Sequence, residues 1–141
     1  MFKKTIFIAM LALIATVIPA HAEDSNTQSL TGVIKFPEKV DLSKFSKIEI
    51  SILDTSICDA PAPVLAKKTL TKQKGNVESL NFSINYEKTK LDPKAMYTIS
   101  VLIYVKDKND EDLLKYWNNC SISVFGKAGS KNIQVKVVKT K

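Results

Sequence analysis

SILDTSICDAPAPVLAKKTL, residues 51–70, joins two stretches of alternating apolar and polar residues through a segment that cannot alternate. Upstream, KIEISIL (47–53) puts Ile48, Ile50 and Ile52 on one face and Glu49 and Ser51 on the other. That period of two marks a strand with one face buried. Pro61 and Pro63 then remove two amide donors and push Ala60 and Ala62 out of helical geometry, so neither proline can sit inside a central strand. The joint is expected to run as a stiff extended crossover or exposed edge that carries the chain between sheets. Alternation resumes at VLAKKTLT (64–71).

The same pattern recurs outward from this joint. LTGVIKF (30–36) lines up Leu30, Gly32, Ile34 and Phe36, and ESLNFSINY (78–86) lines up Leu80, Phe82, Ile84 and Tyr86. MYTISVLIYVK (96–106) is apolar on both faces, while CSISVF (120–125) and KNIQVKVV (131–138) complete the set. DEDLLKYWNN (110–119) reads equally as a helical turn or a short strand. The connections, FPEKVDLSKFS, KQKGN, EKTKLDP, KDKNDED and GKAGS, carry the Lys, Asp, Asn, Gly and Pro of turns. This predicts an all-β protein: an antiparallel β-sandwich of seven to eight strands, immunoglobulin- or transthyretin-like, with a closed barrel as the other architecture.

MFKKTIFIAMLALIATVIPAHA (1–22) has Lys3 and Lys4, an apolar run from Ile6 to Ile18, and Ala20-His21-Ala22. That is the layout of a secretory signal peptide cleaved after Ala22. Residues 23–29 are expected to be a flexible lead, and residues 30–141 one sandwich domain. No cysteine follows the cleavage signal, so a bacterial lipoprotein anchor is not expected, and the protein should be periplasmic or secreted without stable membrane insertion. Cleavage would remove His21, the only histidine of the chain. The mature chain would then lack an imidazole for acid–base catalysis, for a nucleophile–base pair, or as a metal ligand. A non-enzymatic protein without a cofactor is the expectation.

All 21 basic residues are lysine. Arginine is the residue of choice for bidentate recognition of guanine and phosphate, so nucleic acid is not an expected partner. The lysines are interleaved with 14 carboxylates along the whole chain. They read as a solvated surface, with weak contact to anionic envelope polymers as the functional remainder. Cys58 and Cys120 are an even pair in an exported chain and are expected to form a disulfide. Closing a loop of about 63 residues, it would contribute roughly 4 kcal/mol. DKNDED (107–112) fails calcium-loop spacing, having Asp112 where a glycine is needed and Asn118 at the twelfth place, so it reads as a hairpin tip. Trp117 is expected to pack on the disulfide in the core, as in other sandwiches, rather than join Lys115 and Tyr116 in an exposed platform for a sugar or peptide. Asp54 and Asp59 read as turn-makers.

The run from Leu53 to Ala66, with Asp54, Ser56 and the unusual Asp-Ala-Pro-Ala-Pro of residues 59–63, resembles the YbaY/YscW-like family of small bacterial envelope proteins. YEKTKLDPKAMYTISVLIY (86–104) extends the resemblance over most of the mature chain. The family includes outer-membrane lipoproteins and the lipoprotein chaperones, or pilotins, of type III secretion systems. The resemblance implies a β-sandwich, no enzymatic activity, and a binding or assembly role toward an envelope or secretion-system protein. The surface expected to carry it is the joint with Asp54, Asp59, Pro61 and Pro63. The second functional reading is an inhibitor or stress-protective factor that offers the acidic loop 107–112 to an exported hydrolase such as a lysozyme or protease.

Overall fold

The computed structural model describes residues 26–141. The expected signal peptide, residues 1–22, and residues 23–25 of the expected lead lie outside them. Among the described residues nine strands form two facing sheets. They are β1 (Thr27–Asp41), β2 (Phe45–Asp54), β3 (Val64–Leu70), β4 (Asn76–Glu87), β5 (Tyr97–Lys106), β6 (Asp112–Trp117), β7 (Ile122–Val124), β8 (Ile133–Lys136) and β9 (Val138–Lys139). The smaller sheet has the order β4-β1-β8; the larger runs β3-β2-β5-β6-β9, with β7 also paired to β5. An all-β sandwich is therefore what the alternation encodes.

Isoleucine is the commonest residue of the interior. On the larger sheet Ile48, Ile50 and Ile52 stand opposite Ile103, Val101 and Ile99, and every one of these side chains is buried. From the smaller sheet Leu30, Ile34, Phe82, Ile84 and Val135 face them. β-Branched side chains suit this surface because their restricted rotamers pack well on a pleat. Gly32 shares the inner face of β1 and is paired to both Phe82 and Ile133. A Cβ there would collide with the Ile133 carbonyl oxygen and with the Phe82 ring, whose nearest atom would lie 2.7 Å away. The glycine makes room for that ring and for the close approach of β8.

Several boundaries differ from the sequence reading, each for a physical reason. β1 begins at Thr27, inside the expected lead, because Thr27–Ser29 pair with Glu87–Asn85 of β4. It also runs on to Asp41, through part of an expected joint; Pro37 falls in the interval between Lys35 and Val40 where the β4 ladder is interrupted, which suits its missing amide. KNIQVKVV is not one strand. β8 lies parallel to β1, and after Val137 the chain changes sheets so that β9 pairs with β6. The purely antiparallel expectation is corrected by that single parallel pair, and the count rises to nine because this segment splits and DLLKYW is a strand. The proline joint is likewise not a crossover between sheets. It links β2 and β3, neighbours in one sheet, and β3 is that sheet's edge.

Each end of the sandwich is closed by aromatic rings. Phe36, Phe45 and Tyr116 meet at one end with centroids 5.8–5.9 Å apart. The Tyr116 hydroxyl donates to Glu38 Oε1 at 2.9 Å. Burial, with help from that carboxylate, pushes the phenol up to about 12. At the other end Phe125 packs on Tyr86 of the smaller sheet and Tyr97 of the larger, at 4.8 and 5.6 Å. Along one open side Lys68, on the inner face of the edge strand β3, reaches the Ser83 carbonyl of β4 at 2.8 Å. An inward lysine of this kind also discourages edge-to-edge pairing.

Replacing Gly32 by Ala is expected to destabilise the fold by about 1–3 kcal/mol, the usual range for overpacking, read from the urea midpoint. An unchanged midpoint would mean that β8 moves aside freely.

Candidate binding cleft

Asp54 ends β2 and folds the chain back on itself. Its Oδ1 accepts from the Ser56 amide at 3.0 Å and from the Ser56 hydroxyl at 2.6 Å. These bonds hold the carboxyl below its ordinary value. The Ser56 oxygen in turn accepts from the Met96 amide at 2.8 Å, and the Thr55 amide donates to the Met96 carbonyl at 2.8 Å. The Asp-x-Ser signature is thus a clamp between the end of β2 and the segment entering β5. Asp54 is a turn-maker, as expected.

That entering segment, residues 88–96, forms one wall of a cleft of about 550 Å3. Its shape is fixed from several sides. Asn26 receives the Lys88 amide at 2.8 Å through its carbonyl and the Thr89 amide at 3.0 Å through its side chain. The Tyr97 hydroxyl accepts from the Asp92 amide at 2.9 Å, and Asp92 Oδ1 accepts from the Lys94 amide at 2.8 Å. The opposite wall is Phe125 and Gly126, at the start of a 3-10 turn over Gly126–Ala128. Tyr97 and Val124, paired across β5 and β7, are buried between the two walls.

Phe125 adopts φ 66° and ψ −175°. A side chain other than glycine rarely takes this geometry, which costs on the order of 1–3 kcal/mol and tends to mark sites that the surroundings over-determine. Here the amide of Phe125 donates to the Gly129 carbonyl at 2.7 Å, while its ring is held between Tyr86 and Tyr97. The volume falls in the range of sites that take small ligands or short peptide segments, and Leu91, Pro93, Met96, Tyr97, Val124 and Phe125 make the lining mainly apolar. Met96 is 63% exposed, and Ile57, in the loop clamped to it, is 68% exposed. Large apolar side chains left in water beside an apolar cleft are the mark of an interaction site.

The residues expected to form the binding surface are near this cleft but do not line it. Asp59 takes φ 65° in the exposed loop, and Pro61 and Pro63 are exposed; the Pro63 carbonyl accepts from the Asp54 amide at 2.9 Å. Sequence reading missed Leu91, Met96 and Phe125. Only the Leu-Asp-Pro turn and the Phe-Gly pair hinted at them, and neither announces a cleft until the topology brings β5 beside β7.

The expected Cys58–Cys120 bridge is not formed; both are exposed free thiols. Cys58 lies in the loop beyond β2 and Cys120 between β6 and β7, so β5 separates the strands they follow. Trp117 consequently has no disulfide to cover. It stands opposite Leu102 on the outer face of the larger sheet, 41% exposed, whereas its neighbour Tyr116 is buried. The acidic loop is a tight hairpin turn in which Asp107 Oδ1 accepts from the amides of Asn109 and Glu111 at 2.7 and 2.9 Å. Asp112 is neutralised by Lys106 at 3.1 Å and Lys47 at 3.4 Å.

Residues 25–112 match the family of type III secretion system lipoprotein chaperones (YscW), and the chain belongs to that family. Over 80 residues it is 28% identical to the uncharacterized lipoprotein YbaY of Escherichia coli strain K12; the match covers 57% of this chain and only 42% of that protein. The alternative pilotin of the Vibrio cholerae type II secretion system shares the fold with a TM-score of 0.64 at 23% identity, over 79% of this chain and 97% of that structure. Among the described residues no helix is long and apolar enough to cross a membrane.

Alkylation of the native, unreduced protein is expected to label both Cys58 and Cys120. A mass showing no added label before reduction and two afterwards would restore the bridge.

Proposed function

We propose that this protein is a non-enzymatic accessory factor of a secretion system, located in the periplasm or secreted, that binds a segment of another envelope protein in the cleft between residues 88–96 and 123–126. The observation that carries the reading is the preformed apolar cleft, walled by the segment that Asp54, Ser56 and Asn26 tie down. Its walls are hydrogen-bonded before any partner arrives, which keeps the ordering cost of binding low. Family membership gives the partner class: proteins of this family are chaperones of secretion, and the solved pilotin shares the sandwich.

What such a protein needs to supply is recognition, and no bond has to be made or broken. Met96 and Phe125 offer a flexible thioether and a fixed ring, a combination that adapts to apolar side chains of differing shape. The loop of Ile57, Pro61 and Pro63 extends the surface beyond the cleft, so the proline joint supports the site from its flank. The alternative role as a hydrolase inhibitor finds less support. In the tip at 107–112, Asp107 is engaged by the amides of its own turn and Asp112 is paired with lysines, which leaves Asp110 and Glu111 as the carboxylates it could offer a target, and no apolar cleft accompanies them.

A photocrosslinking residue at position 96 is expected, in cells, to capture one discrete envelope protein that mass spectrometry identifies as a secretion component. The same residue at position 109 in the hairpin tip should capture none. Capture from position 109 alone would transfer the site to the acidic loop and contradict this reading.

A further inference from the structure

The charge around the cleft narrows the kind of segment it takes, an inference that rests on the cleft being the binding site. Lys88 lines the cleft directly, while Lys94, exposed between the lining residues Pro93 and Ala95, and Lys127, exposed next to Gly126, stand beside the lining without forming part of it. Among the described residues none of the three is in an ion pair. The single carboxylate of the lining, Asp92, turns an oxygen to the Lys94 amide of its own turn, and the nearby Glu87 pairs with Lys90 at 3.3 Å. On the outer face of the larger sheet the arrangement is different. There Lys47 meets both Glu49 and Asp112, and Lys67 meets Glu49. The cleft end therefore combines an apolar lining, in which Lys88 and Asp92 offset one another in formal charge, with two further lysines exposed beside its two walls.

We propose that the cleft takes an acidic amphipathic segment of a partner protein, its apolar side chains against Met96, Tyr97 and Phe125 and its carboxylates facing Lys88, Lys94 and Lys127. Lysines beside both walls favour carboxylates spaced along a chain over the single charged head of a lipid. Rim charges of this kind select partners and speed encounter more than they add affinity, and salt weakens them.

The test uses the purified exported protein and three probes. One is a fluorescent amphipathic peptide with Leu and Phe on one face and Glu on the other, the second is its Gln counterpart, and the third is dodecanoate. The Glu peptide is expected to bind about tenfold more tightly than the Gln peptide at low salt, from three exposed ion pairs. High salt should remove the difference, and so should the triple variant Lys88→Gln, Lys94→Gln, Lys127→Gln, which should still bind the Gln peptide. Equal binding of the two peptides overturns the acidic preference while leaving the cleft as the site. Failure of both peptides, or undiminished binding of both by Met96→Asp, overturns the cleft reading itself. Saturable binding of dodecanoate that excludes both peptides assigns the cleft to lipid and overturns the proposal.

Discussion

Phe125 joins the two sheets at the end of the molecule where binding is proposed. Its ring lies on Tyr86 from one sheet and Tyr97 from the other, and its backbone is held in a conformation that favours glycine. Aromatic pairs of this geometry contribute about 0.5–1.5 kcal/mol each beyond the area they bury, and together they offset a strain of similar size. Remove the ring and the third side of the cleft is gone, since Val124 and Tyr97 alone form a floor without a wall. The same residue closes the core and shapes the site.

The rest of the cleft follows from hydrogen bonds between segments distant in sequence. Asn26, Ser56 and Tyr97 each hold a backbone amide of residues 88–96. A connection that would otherwise be an ordinary surface loop becomes a wall with a fixed shape. Stability and the proposed recognition are linked here in a specific way: the Asp-x-Ser turn fastens Met96, the residue proposed to touch the partner.

Much of the fold was legible in the sequence because alternation reports directly on a half-buried strand. Ile48, Ile50 and Ile52, and Leu80 through Tyr86, announced their faces with no need of tertiary information. What could not be read was set by long-range pairing. The change of sheet at Val137 leaves no local mark, since the residues on both sides alternate without interruption. Trp117 looked like core because sandwiches commonly pack tryptophan on a disulfide; without the bridge, its pairing with Leu102 puts it outside. The site was half legible. Its flank, the proline joint, is visible as an unusual motif, but Leu91, Met96 and Phe125 come together only when β5 pairs with both β2 and β7.

Backbone amide mapping by NMR, with labelled protein titrated with the partner captured through position 96, tests the central claim most directly. The account predicts shifts concentrated at Lys88–Tyr97 and Ser123–Lys127. Shifts gathered instead on the outer face around Leu102 and Trp117, or on the hairpin Asp107–Glu111, would contradict it.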